Sequence, residues 1–250
     1  MKATGALAGL CLLVPVALAG CNLPGRPKPE PEVLRPEEVL SFDKLYGENC
    51  AGCHGEEGRN GAAANLSNPA YQALIDDVSL RDVIAKGGKG TLMPGFGIES
   101  GGTLTDKQID ALVEGMRARW RKGDPFGGQT PPPYRATHAG DPAKGKAVYA
   151  EACARCHGPS AHQAGNAGSI LDASFLALIN EQTIRTTIIA GRPDIGEPDW
   201  RAHIPGRAMT DEEVTNVSAW LMSQKSPTPG QPYPSAISAS GRPGEMQPSR

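Results

Sequence analysis

Two short strings constrain this chain more than anything else in it. Tyr46-x3-Cys50-x2-Cys53-His54-Gly55 is matched by Tyr149-x3-Cys153-x2-Cys156-His157-Gly158, 103 residues further on. Tyr71-x2-Leu74-Ile75 matches Phe175-x2-Leu178-Ile179 at an offset of 104, and Thr105-Asp106 matches Thr210-Asp211 at 105. A chain that repeats itself once with so slow a drift holds two copies of one domain, separated in register only by small loop insertions. Each copy has roughly eighty residues, a length at which side chains alone bury a marginal share of the surface. Aromatic residues make up only 5% of the chain, against 31 Gly and 23 Pro, so interior bulk has to come from something else.

The apolar periodicity within each copy is helical. Pro36-Glu37-Glu38 opens a helix along Val39, Phe42 and Tyr46 that runs into Cys50. Asn68-Pro69 starts a short helix, and Ser79-x-x-Asp82 another that stops at Gly87-Gly88. Thr105-Asp106-Lys107-Gln108 is a capping box with Ile109, Leu112, Val113, Met116 and Trp120 along one face; Thr210-Asp211-Glu212-Glu213 repeats it before Val214, Val217, Trp220 and Leu221. No alternating strand pattern is present. The expected fold is all-α, two tandem domains at 36–121 and 141–225, with proline-rich stretches at 21–35, 122–140 and 226–250 read as tether, linker and tail.

The chain begins with Lys2, an apolar run from Ala6 to Ala19, and Leu18-Ala19-Gly20-Cys21. This resembles a bacterial lipoprotein signal, which implies removal of residues 1–20 and acylation of Cys21. Beyond it no segment reaches the eighteen apolar residues of a membrane-spanning helix. Cys11 leaves with the signal and Cys21 takes the lipid, so four cysteines remain, and all four lie in the repeated strings.

Cys50-Ala51-Gly52-Cys53-His54 and Cys153-Ala154-Arg155-Cys156-His157 are C-x-x-C-H, the attachment motif of c-type haem. One helical turn separates the two thiols enough to reach the two vinyl groups of a porphyrin and sets the adjacent imidazole beneath the iron. A redox dithiol also uses C-x-x-C, but in a strand–helix context absent here. A zinc site lacks an evident fourth ligand in either copy. Two covalently attached c-type haems therefore account for all four cysteines, and they supply the apolar interior that the aromatic content leaves wanting.

With these residues in place, each copy resembles a class I cytochrome c domain, and the whole resembles the dihaem cytochromes c of bacterial respiratory chains. The resemblance implies proximal iron ligation by His54 and His157. It also implies a distal methionine in a Met-Pro context, which Gly90-Thr91-Leu92-Met93-Pro94 provides in the first copy; a core-filling role is the alternative for Met93. The second copy departs from the pattern, because carrying the register forward puts Glu197 where Met93 stands. Glu197 is a hard ligand poorly suited to ferrous haem. Met209 leads the candidates for that position, although its counterpart Leu104 suggests a helix staple instead; His203 follows, and an open position is the remaining choice.

A net charge of −2 and a pI near 6.2 argue against nucleic acid as a partner. Gly87-Gly88-Lys89-Gly90 lacks the strand and the Lys-Ser/Thr ending of a phosphate loop. The expected function is electron transfer between redox-partner proteins by an exported cytochrome, tethered through lipid at Cys21 to a membrane facing the periplasm, either as a free carrier or within a larger complex. A dihaem enzyme with a reactive second haem is the alternative.

Overall fold

The computed structural model describes residues 33–160 and 162–229; the signal segment, Cys21, most of the tether and the tail beyond 229 lie outside the described residues. Each repeat forms five helices. The first lobe has α1 (Phe42–Asn49), α2 (Ala51–His54), α3 (Pro69–Leu74), α4 (Asp77–Lys86) and α5 (Asp106–Trp120). The second has α6 (Pro142–Ala152), α7 (Ala154–His157), α8 (Ala173–Ala177), α9 (Glu181–Ala190) and α10 (Asp211–Ser223). Among the described residues β pairing is confined to isolated bridges, so the architecture is the all-α one expected.

Both capping boxes form. Thr105 and Gln108 exchange hydrogen bonds at the start of α5, as Thr210 and Glu213 do at the start of α10. Behind the caps, Ile109, Leu112 and Met116, then Val214, Val217 and Leu221, are buried along one face of each helix. α5 packs on α1 and α4, and α10 on α6 and α9.

Two helix starts differ from expectation. Pro36–Glu38 is a separate 3-10 turn, and α1 begins only after Ser41. The Gln108 side-chain amide donates to the carbonyls of Pro36 (2.8 Å) and Val39 (3.1 Å), which turns them toward α5 instead of along a helix. α4 starts two residues before Ser79, because the Asp76 carboxylate accepts from both the Ser79 N–H (2.7 Å) and its hydroxyl (2.8 Å). Asn180 caps α9 in the same manner through Thr183.

The stretch read as a linker is bound down. Phe126 is buried edge-on against Trp200, ring centroids 5.3 Å apart. The Arg185 guanidinium, 2% exposed, donates to Pro133 O (2.7 Å), Thr215 Oγ1 and Asp211. A proline run has no N–H to offer, so its carbonyls are free acceptors for such a donor. Arg81 makes the equivalent ion pair with Asp106 in the first lobe, where no linker covers it and its side chain is 37% exposed.

The described residues from Pro36 on belong to one compact unit, in which the lobes touch directly. The Asn68 amide at the head of α3 donates to Ala190 O (2.8 Å) and Gly191 O (3.1 Å) at the end of α9. Arg192 pairs with Asp194, and the pair reaches across: Arg192 donates to Gly61 O (3.1 Å), and Asp194 accepts from the Asn60 N–H (3.1 Å).

Candidate functional site

Each C-x-x-C-H string occupies the junction of two helices. Cys50 ends α1 and caps α2 with φ −119° and ψ −37°; Cys153 does the same between α6 and α7 at −116° and −38°. The single turns α2 and α7 carry the second cysteine and the histidine. Tyr46 and Tyr149 fasten each turn by donating from their hydroxyls to Gly55 O (2.8 Å) and Gly158 O (2.7 Å). Those two positions must be glycine: φ is +82° and +86°, and an added Cβ would sit 1.9 Å from Arg59 O or 1.8 Å from Gln163 O.

His54 Nδ1 lies 2.8 Å from Ala64 O and His157 Nδ1 lies 3.0 Å from Gly168 O. A carbonyl only accepts, so Nδ1 carries the proton and the Nε2 lone pair is left for a metal. Burial holds the His54 pKa below its ordinary value, against the opposing pull of Ala64 O, which keeps the imidazole neutral as a ligand must be. His54 is buried, whereas His157 is half-buried.

The four cysteines are unbridged. Burial pushes the Cys50 thiol up to about 11 and the Cys153 thiol to about 12, so neither is a thiolate near neutral pH. Among the described residues no three His, Cys, Asp or Glu gather as a zinc site requires. Unbridged thiols one turn apart, next to an imidazole with a fixed tautomer, are what thioether attachment of a porphyrin calls for.

The loops after α4 and α9 superimpose in their hydrogen bonding. Gly88 donates to Met93 O and Arg192 to Glu197 O, both at 3.0 Å. Gly87 and Gly191 take positive φ so that the chain returns against their Cα atoms: an added Cβ would strike Gly95 N and Met93 O in one, Asp199 N and Pro198 in the other. Glu197 therefore stands in the Met93 position in space as well as in register. Burial raises the Glu197 pKa to about 7, opposed by the Arg192 charge, and its own charge helps raise the Cys153 thiol.

Met209 is buried in the core and donates its N–H to Trp200 O (2.8 Å), as Leu104 does to Phe96 O (2.8 Å). His203, also buried, has Nε2 3.1 Å from Ile188 O; in the first lobe the matching carbonyl, Ile84 O, accepts from the Phe96 N–H. His203 lies within electrostatic reach of His157, and burial holds its pKa down. The Arg192–Asp194 pair escaped the sequence reading. Its charge nonetheless reaches His54, whose pKa it lowers; a short Arg-x-Asp string carries no signal that it docks on another domain.

Two helical lobes, each presenting its own C-x-x-C-H turn, define a dihaem class I cytochrome c, a protein of electron transfer carrying two c-type haems. The family model for cytochrome c oxidase, cbb3-type, subunit III matches at residues 37–114 and again at 140–221, and the chain belongs to that family. It is 28% identical over 192 residues to the Cbb3-type cytochrome c oxidase subunit CcoP of Azospirillum sp. (strain B510), covering 68% of this chain and 60% of that protein. To the subunit of the same name from Azospirillum brasilense it is 27% identical over 191 residues, covering 68% and 59%. The chain thus spans about three-fifths of the length of these relatives. Among solved structures, the reducing HAO-like protein complex Kustc0457/Kustc0458 of Kuenenia stuttgartiensis aligns with a TM-score of 0.41 and 18% identity, over 78% of this chain and all of that one.

Proposed function

We propose that this chain passes electrons between redox-partner proteins outside the cytoplasm, anchored by lipid at Cys21, either as a carrier or as a cytochrome subunit of a cbb3-type oxidase. Cys50 and Cys53 bond one haem and Cys153 and Cys156 the other, with His54 and His157 as proximal ligands and Met93 as the distal ligand of the first. When bound, each haem supplies an iron that alternates between Fe(III) and Fe(II). The chain's own groups do the rest. The Ala64 and Gly168 carbonyls orient the two imidazoles, the Tyr46 and Tyr149 hydroxyls lock the attachment turns, and the Met93 thioether, a soft neutral donor, favours the ferrous state. Among the described residues no helix is long and apolar enough to cross a membrane.

The observation that carries this reading is the duplicated C-x-x-C-H turn, with each imidazole held by its Nδ1 so that Nε2 is presented. The test is expression in a host able to attach haem. The full chain is expected to gain the mass of two haems and the Cys50→Ala/Cys53→Ala variant of one, while Cys21→Ser moves the protein from the membrane to the soluble fraction. A chain without added mass overturns the haem assignment, and membrane retention of Cys21→Ser overturns the anchor.

A further inference from the structure

We propose that the second pocket, and not the first, is a binding site for a small neutral diatomic ligand such as carbon monoxide or nitric oxide, because Glu197 holds the place that Met93 fills in the first. This inference rests on haem attachment at Cys153, Cys156 and His157.

Three side chains come into question as a second donor to an iron held by His157; the core holds one, and a buried carbonyl holds another through one ring nitrogen. Met209 reproduces Leu104 down to the backbone bond: its N–H goes to Trp200 O as that of Leu104 goes to Phe96 O, and its side chain is part of the core at 3% exposure. Pulling the thioether out to reach an iron would leave a cavity beneath α10 and undo the staple at its start. His203 holds its Nε2 3.1 Å from Ile188 O, so Nε2 could reach an iron only by giving up that bond, and Nδ1 is the nitrogen left over. In the first lobe the backbone N–H of Phe96 satisfies the matching carbonyl, so the imidazole serves as a backbone substitute, and withdrawing it would orphan a buried acceptor.

Glu197 is the third candidate, and its backbone is pinned on both sides: Arg192 N donates to Glu197 O and Glu197 N donates to Arg192 O, each at 3.0 Å. The loop cannot slide to bring another donor forward. A carboxylate is a hard anionic ligand with little affinity for ferrous haem iron, so a reduced haem held by Cys153, Cys156 and His157 would take up a π-acceptor in its place. A cleft of about 500 Å³ at the lobe junction is lined by Asn68, Ala190, Glu197, Pro198, Arg201 and Ala202, so the loop that carries Glu197 borders open space on one side.

The test uses the full-length protein with two haems per chain verified first, reduced by dithionite and titrated with carbon monoxide. The expected uptake is one carbon monoxide per chain. Glu197→Met is expected to abolish that uptake and to add a second methionine–iron charge-transfer band in the ferric spectrum, while Met209→Leu, which installs the residue of the first lobe, retains the uptake. Two haems with no uptake overturn the inference but leave the haem assignment standing, whereas fewer than two haems overturn the assignment itself. Uptake of two equivalents, or uptake gained only in His203→Ala or Met209→Leu, also overturns it. Should Glu197→Met fail to retain both haems, the stoichiometry of the unaltered protein decides.

Discussion

His54 and His157 are held alike but housed differently, and the difference lies in what surrounds each ring. Around His54 the second lobe contributes Arg192, whose guanidinium bonds Gly61 O and whose charge reaches the imidazole. A fixed positive charge near an iron disfavours the more oxidised state. Arg192→Gln is accordingly expected to lower the potential of the first haem by on the order of tens of millivolts, with the spectrum of its ligands unchanged; a spectroelectrochemical titration checks this. Met93→Ala should remove the methionine–iron band of the ferric protein and lower the same potential further. The C-x-x-C-H strings could be read from local spacing, whereas the ligand role proposed for Met93 came from the resemblance to class I cytochromes c and its Met-Pro string. The distal side of the second pocket could not be read in either way. Whether a buried Met or His faces a core or a cofactor depends on backbone bonds such as Met209 N to Trp200 O, which no spacing records.

At the level of elements, the two lobes carry the same devices in different surroundings, which makes each a control for the other. Arg81–Asp106 and Arg185–Asp211 are one ion pair repeated, exposed in the first lobe and covered by the linker in the second. Exposed pairs contribute about 0–1 kcal/mol, whereas removing one partner of a buried pair costs about 3–5 kcal/mol. Arg81→Ala should therefore cost below about 1 kcal/mol and Arg185→Ala about 3 kcal/mol or more in denaturant unfolding followed by helical circular dichroism. Arg185 also satisfies Pro133 O and Thr215 Oγ1, so its loss frees the linker. Thr105→Ala and Thr210→Ala should each cost about 1 kcal/mol, since both caps are intact. The capping boxes could be read from four residues each. The binding of 122–140 could not: a proline run has no period, and the donors that seek its carbonyls lie fifty residues further along, at Gln182 and Arg185.

At the scale of the molecule, polar bonds of Asn60, Gly61, Asn68, Lys89, Asn180, Arg192 and Asp194 join the lobes among the described residues. The Arg192 guanidinium holds the Asp194 carboxyl well below the usual carboxylate range. A carboxylate with a depressed folded-state pKa contributes stability in full above its unfolded value, about 3.9, and loses it as the pH falls toward the folded one. The junction should therefore be insensitive to pH near neutrality and weaken in acid below about pH 4, and Asp194→Asn should flatten that acid limb; unfolding measured against pH decides.

The backbone of Arg192 belongs to the loop that carries Glu197, while its side chain grips the turn behind His54. One residue thus has a hand in each pocket, and a shift of the Glu197 loop would be felt by the cation near His54. If the second pocket takes a ligand as proposed, thermodynamic reciprocity would tie the two centres together: occupancy at one would alter the redox balance of the other, and by the same factor that balance would alter occupancy. A solute entering the junction would then be read out as a change in the potential of the first haem.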